Sequence, residues 1–267
     1  MHPRLSVIIP TKCMSSDLIN LLKSLDMQSN TDFEVIISSN QSIGLTEIAH
    51  YASNLSIRLL VSDGDRSIAR NKGAEISMTE VLLFLDSDML VTSEVIAACV
   101  NQICEFDALC IHEQSSSTNY WSRALSLERD EYFGSLYFEC SRCFKKSVFL
   151  KLNGYNPELS GLEDVDMQAR LIENGYRIGW VDDIIIHMDA NQGFLAYMNK
   201  RRSYSKADAV FSHAHPKYWT ILKSAYARSP YLLRGLRKKG FIWSLKFLPG
   251  WAVTRFVELI FRGFIGS

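Results

Sequence analysis

Along the first 190 or so residues, short apolar runs alternate with segments whose apolar positions recur at helical spacing. Residues 5–10, LSVIIP, form a β-rich run closed by proline, and a polar loop follows at 11–16. Asp17 then fits an N-cap for a helix carrying Leu18, Leu21, Leu22 and Leu25 on one face. Residues 33–37 read as a second buried strand, leading into the polar loop 38–42, SSNQS, and a helix over about 46–53. A third strand at 57–61 ends in Asp63-Gly64-Asp65, and a helix over 67–78 leads to a further strand starting at Val81. This β-α-β-α-β-α-β order with short loops predicts a doubly wound, mostly parallel sheet flanked by helices.

Residues 82–90, LLFLDSDML, sharpen that picture. Four apolar residues run straight into two aspartates, and open α/β sheets hold their ligands at the carboxyl ends of strands. In a regular strand Asp86 and Asp88 would point the same way, and two converging hard oxygen ligands suit Mg²⁺ or Mn²⁺. An ordinary polar turn closing the strand is the other reading, since Asp and Ser are common turn residues.

Beyond Asp88 the pattern loosens. Ser93 fits the cap of a helix to about residue 104, and 108–111 reads as a strand. Residues 112–135 are polar and aromatic without a sustained period, a length of connection that is often functional. Residues 136–144 alternate as a strand would, and a helix bearing Val148, Phe149 and Leu152 stops at Gly154. Glu163 and Asp164 open another helix, where the dipole favours negative charge, with Asp166 as a helix-face charge and Gly175 as the stop. Residues 184–186 form a last buried strand, closing with His187.

Composition changes the picture mainly through charge. The formal net charge is zero, yet residues 1–193 hold 15 Lys+Arg against 27 Asp+Glu, and residues 194–267 hold 14 against 2. So large an asymmetry predicts two parts with different partners, a domain over 1–193 and a basic, aromatic-rich helical extension over 194–267. Aromatics mixed with Lys and Arg on helices suit an anionic membrane surface. Packing of the extension over the acidic N-terminal domain is an alternative. No nucleic-acid-binding motif accompanies the basic residues, so nucleic acid is not an expected partner. The apolar run 251–265 carries Arg255, Glu258 and Arg262, so it is expected to lie on a bilayer rather than cross one. The first strand begins by Leu5, which leaves no room for a signal peptide. A cytoplasmic protein, soluble or peripheral on the inner face of the membrane, is the expectation. Of the six cysteines, those at 13, 99, 104 and 110 read as packed reduced thiols, and Cys140-x-x-Cys143 lacks a second metal-binding pair.

The segments SVIIPTK, DFEVIISSNQS, RSIARNKGAE, LLFLDSDM and NGYNPELSGLEDVDMQARLIENGYRI, in that order, resemble the family-2 glycosyltransferases over roughly residues 5–190. The resemblance implies the GT-A nucleotide-sugar-binding fold, with the C-terminal helical extension added. It further implies a metal-dependent, inverting transfer of a sugar from a nucleotide-sugar donor to a hydroxyl of a glycan or lipid-linked acceptor. Pro10 and Thr11 would lie where the family holds base and ribose, with Asn40 and Arg70 on the nucleotide side. Asp86 and Asp88 would hold Mn²⁺ or Mg²⁺ bridging the diphosphate, with His187 as a further ligand. Asp164, or Glu163 beside it, would be the general base, because an acceptor hydroxyl needs a carboxylate within reach to take its proton.

One departure matters. The family's second-strand loop usually carries an aspartate that contacts the base, whereas this chain has Ser39-Asn40-Gln41-Ser42. That leaves the donor nucleotide open and makes a weakened or non-catalytic binding member of the same fold a competing reading. A nucleotidyltransferase would want a Gly-rich basic loop after the first strand, and PTKCMSSD matches poorly.

Overall fold

A computed structural model describes residues 4–41, 44, 48, 50–116, 119–188 and 193–263. Thr46, Glu47 and Ala49 of the expected second helix, Ser42 of the polar loop and Ile265 of the apolar run lie outside the described residues. The chain forms two compact units, one of residues 1–112 and 140–186, the other of residues 113–139 and 187–267.

The first unit is built on strands β1 (Leu5–Thr11), β2 (Phe33–Ser39), β3 (Ser56–Val61), β4 (Val81–Phe84), β5 (Met89–Val91), β6 (Ala108–Ser115), β7 (Ser141–Lys145) and β8 (Ile178–His187). They join one sheet in the order β3-β2-β1-β4-β7-β6-β8-β5. The pairs β1–β2, β2–β3 and β1–β4 are parallel, whereas β7 runs antiparallel to both β4 and β6. Strand order therefore leaves β1 in both directions, towards β2 on one side and β4 on the other, which makes the carboxyl ends of β1 and β4 a switch point.

The apolar runs are continuous because both faces of this sheet are covered. Leu5, Val7 and Ile9 of β1 pack with Leu18, Leu21, Leu22 and Leu25 of α1 (Ser16–Asp26) in one core. Ile8, between them, points into a second core with Ala74 of α2 (Arg66–Ile76), Phe84, Phe144, Phe149 and Tyr155. A Cβ added at Gly73 would lie 2.6 Å from Ile8 Cγ2, so α2 packs on β1 as closely as it does only because residue 73 is glycine.

Several expected boundaries move. Ser15 rather than Asp17 caps α1, its hydroxyl accepting from Leu18 N at 3.1 Å. Asp65 caps α2 through Ser67 N and Ile68 N. The helix expected from Ser93 is α3 (Val95–Gln102), which starts without a side-chain cap. Strand β7 begins at Ser141, not 136, and β8 extends back to Ile178. The next helices, α5 (Lys146–Lys151) and α6 (Glu163–Glu173), match expectation, with Gly154 and Gly175 at φ 65° and 71° beyond their ends. Cys99 and Cys110 are buried as expected, but Cys13 and Cys104 are exposed; none of the six is in a disulfide.

The second unit is helical: α4 (Tyr120–Arg129), α7 (Phe194–Ser203), α8 (Ser205–Ala214), α9 (Pro216–Lys223), α10 (Ala225–Lys239) and α11 (Phe241–Gly263). Its grouping differs from a cut at residue 193, because residues 113–139 pack with the C-terminal helices. The reason is α4. Ala124 and Leu127 form a core with Phe247, and Glu128, fully buried, pairs with Arg228 at 3.1 Å and Arg255 at 3.0 Å and accepts from Trp251 Nε1 at 2.7 Å. Lys239 pairs with Asp130 and Lys238 with Glu131. Part of the basic charge of the extension is thus neutralised by acids of this segment. No described helix is long and apolar enough to cross a membrane.

Candidate active site

Asp86 and Asp88 do not lie in a regular strand. β4 ends at Phe84, and a turn closed by Met89 N donating to Asp86 O at 3.1 Å carries both aspartates into β5. The turn still brings a carboxylate oxygen of each within 4.8 Å of the other. Hard oxygens at that spacing can share one small divalent cation, so the residues present fit the metal that the sequence implies.

Around Asp86 stands a cluster of arginines. Arg66 and Arg70 are one turn apart on α2 and therefore share a face. Arg70 donates from Nη2 to Asp86 and from Nη1 to Glu163 at 3.0 Å, while Arg66 Nε lies 2.5 Å from the same Glu163 oxygen. Arg142 of β7 approaches Asp86 at 3.6 Å, and the Arg70 guanidinium lies 5.3 Å from the centre of the Tyr155 ring. Burial works against the Arg70 cation, yet Asp86 first and Glu163 behind it hold its pKa above the ordinary arginine value.

Glu163 is occupied on all sides. It is buried, paired with two arginines, and its Oε2 accepts from Gly161 N at 2.5 Å. Asp164, the next residue of α6, is half-buried and accepts from Val165 N at 2.8 Å; among the described residues it makes no ion pair, though the charges of Arg142, Arg66 and Arg70 act on it. Burial, and then the charge of Glu163, push its carboxyl above the usual aspartate value. Asp166 is no solvated charge: it is buried and paired with Arg170, whose guanidinium also donates to Gly154 O at 2.9 Å.

Pro10 and Thr11 end β1 beside Ser38 and Ser39 of β2, and Asn40 follows, exposed, in the bend beyond. Phe84 pairs with Ile8, so Pro10 and Asp86 each lie two residues past that pair at the switch point. His187 is the last residue of β8. Sequence reasoning passed over Arg66, Arg142 and Tyr155. Arg66 was detectable as the i−4 neighbour of Arg70; Arg142 and Tyr155 reach the cluster only through tertiary packing.

A sheet with this switch point, two carboxylates beyond β4 and helix α6 opening with Glu163-Asp164, makes the first unit a GT-A glycosyltransferase fold. The family model "Glycosyl transferase family 2" matches residues 6–151, and the chain belongs to that family. A PGL/p-HBAD biosynthesis glycosyltransferase of Mycobacterium tuberculosis is 28% identical over 195 residues, 64% of this chain and 71% of the relative. The O-antigen chain rhamnosyltransferase RfbN of Salmonella typhimurium is 23% identical over 213 residues, 70% of this chain and 67% of the relative. Among solved structures, the mannosyltransferase PcManGT of Pyrobaculum calidifontis, in complex with GDP-Man and Mn²⁺, superposes with a TM-score of 0.64 at 16% identity, covering 99% of this chain and 85% of its own. Staphylococcus aureus TarS 1–349 with UDP-GlcNAc gives 0.53 at 17% identity, covering 97% and 92%. The protein is a glycosyltransferase, similar to enzymes of cell-surface glycan synthesis.

Proposed function

We propose that this glycosyltransferase moves a sugar, with inversion, from a nucleotide-sugar donor to a hydroxyl of a glycan or lipid-linked acceptor at the inner face of a membrane, in polysaccharide or glycolipid synthesis. The observation that carries the reading is the division of labour between adjacent carboxylates. Two arginines and a backbone N–H engage Glu163, while Asp164 makes no ion pair among the described residues and keeps a raised pKa although the charges of Arg142, Arg66 and Arg70 lower it in part. A carboxylate of that kind suits a general base, which should be basic enough to take a proton yet still ionised at working pH. In this reading Asp164 takes the acceptor proton and Glu163 fixes α6 against α2. Arg70 holds Asp86 beside the diphosphate, and Pro10, Thr11 and Asn40 line the nucleoside end.

Asp86 and Asp88 would hold the divalent ion, Mn²⁺ or Mg²⁺, with His187 as a further ligand; the ion would supply Lewis-acid stabilisation of the departing diphosphate. Similar folds are solved with GDP-Man and with UDP-GlcNAc, and the loop after β2 here lacks an acid, so the donor base stays open. The test is stereochemical. The sugar released from a turned-over donor should have the anomeric configuration opposite to that of the donor, and Asp88→Asn should abolish its release. A retained configuration would rule out the single in-line displacement.

The membrane contact is assigned to the outer face of α11. Ile242, Leu245, Pro249, Val253, Phe256 and Ile260 fall at helical spacing along it and are all exposed, Ile242 at 86% and Phe256 at 64%. Exposed Arg234 and Arg237 on α10 supply the charge that attracts anionic lipid. Leu245→Glu with Phe256→Glu is expected to cut sedimentation with anionic vesicles at least tenfold while leaving the melting temperature unchanged. Undiminished sedimentation would remove α11 as the contact.

A further inference from the structure

Within the helical unit, α9, α10 and α11 enclose a cavity of about 110 Å³. Its walls are mostly apolar, with Leu232, Trp251 and Leu259 among them, and the charged Lys223, Glu258 and Arg262 also border it. Leu259 is half exposed and lies on α11 between Phe256 and Ile260, so the cavity wall continues into the exposed apolar face of that helix. An apolar chamber of this kind is a poor site for water and a good one for a piece of hydrocarbon.

The charges beside it do not balance. Among the described residues, Arg201, Arg228, Arg255 and Arg262 face three carboxylates, Asp208, Glu128 and Glu258. The first three arginines have close partners, at 3.0 Å, 3.1 Å and 2.6 Å. Arg262 has none as close among the described residues: its carboxylate contacts are 3.8 Å to Asp208 and 3.9 Å to Glu258, and its Nε, like the Asp208 Oδ1 that it faces, has no hydrogen-bond partner although the side chain is nine-tenths buried. Burial accordingly pulls its pKa below the ordinary arginine value. Lys223 is a second cation at the same place. Its Nζ lies 5.3 Å and the Arg262 guanidinium 5.4 Å from the centre of the same Trp219 ring. Two cations gathered at one indole, one of them buried without a close acceptor, create a demand for an anion.

We infer that this cavity is a site for a single anionic lipid, holding part of one hydrocarbon chain between Leu232, Trp251 and Leu259 with the phosphate between Arg262 and Lys223. The site is distinct from the proposed sugar-transfer centre and does not depend on its chemistry. It narrows the membrane contact of α11 from a general surface to a place for one molecule. Neither half of the ligand is sufficient. A free phosphate leaves the apolar walls wet, and a neutral chain leaves Arg262 without its acceptor.

The test uses the full chain and three probes below their micelle concentrations, followed by tryptophan fluorescence or calorimetry: octyl phosphate, an uncharged eight-carbon polyoxyethylene detergent, and inorganic phosphate. Octyl phosphate should bind at one per chain and at least tenfold more tightly than either of the others. Arg262→Gln should weaken it at least tenfold. Leu259→Glu, at an exposed position that the fold tolerates, should do the same by setting a carboxylate beside the phosphate, and both variants should keep the wild-type rate of donor turnover in solution. Equal binding of the neutral detergent would reduce the site to an apolar surface, and equal binding of inorganic phosphate would make it a simple anion site; either result overturns the proposal. So would undiminished octyl phosphate binding in both variants. A chain inactive on every donor that still binds octyl phosphate in this manner would refute the transferase reading and leave the lipid site standing.

Discussion

Asp164→Asn is expected to lower sugar transfer by about 10²–10⁴-fold, the usual contribution of a positioned general base, while donor affinity stays within a factor of about two. The amide keeps the shape of the side chain and removes only its ability to accept a proton. A second readout separates this from damage to the fold. Burial and the neighbouring Glu163 charge raise the Asp164 pKa in the folded chain, so the folded state holds that proton more tightly than the unfolded one. Ionising Asp164 as the pH rises past its folded pKa therefore costs stability, and the cost is complete above that pKa. Asparagine carries no such charge, so the variant should melt at the same temperature as the parent or higher at pH 7, with the difference vanishing on the acid side. The same shift sets the pH–rate profile: transfer should fall as the pH drops through the Asp164 pKa, which lies above the ordinary aspartate value. Unchanged transfer, or a variant clearly less stable at pH 7, would remove Asp164 as the base. Glu163→Gln should behave in the opposite way on stability, since it takes a paired charge away from Arg66 and Arg70.

Arg70→Met should lose both activity and stability, with unfolding free energy reduced by roughly 3–5 kcal/mol, the range seen when one member of a buried ion pair is removed. Arg70 is almost fully buried and serves two carboxylates at once, Asp86 and Glu163. Without it, Glu163 keeps only the half-exposed Arg66, and Asp86 keeps Arg142 at 3.6 Å. Arg70→Lys should rescue little, because an ammonium on a flexible stem does not reproduce a planar fork reaching two acids in different directions. Urea unfolding at neutral pH reads the effect as a shift in midpoint at constant slope. A midpoint shift smaller than that of an ordinary surface substitution would mean that the Arg70 cluster does not hold α2, the aspartate turn and α6 together.

The parallel half of the sheet was legible in the sequence because its strands are buried on both faces and its helices on one. Residues such as Val7 and Ile8 face opposite cores, so the run is apolar throughout, whereas Leu18, Leu21, Leu22 and Leu25 keep the period of a helix on a sheet. Helix α4 was not legible. It buries Ser122, Ser126 and Glu128 beside Ala124 and Leu127, so its inward face is polar and the amphipathic period disappears. Glu128 can be inward only because Arg228, Arg255 and Trp251, a hundred or more residues later, meet it there. The strand expected at 136–144 starts only at Ser141, from where residues 141–144 are buried throughout, and Glu139 turns back to accept from Gly134 N at 3.2 Å.

The candidate site divides in the same way. Asp86, Asp88, Glu163 and Asp164 stand out along the chain as charges at the ends of apolar segments. What distinguishes Glu163 from Asp164 is invisible there, because it depends on Arg66 and Arg70 arriving from a helix more than ninety residues earlier. The turn that carries Asp86 and Asp88 also replaces the strand geometry expected of them, yet it keeps their oxygens within reach of one ion.

The most direct test of the whole reading is donor turnover by the purified chain across a panel of GDP-, UDP- and dTDP-linked sugars, each with Mn²⁺, with Mg²⁺ and with a chelator. The account predicts release of the nucleoside diphosphate from at least one donor, lost on chelation and restored by the metal. Turnover that persists undiminished in chelator, or no turnover of any donor under any of these conditions, would contradict it.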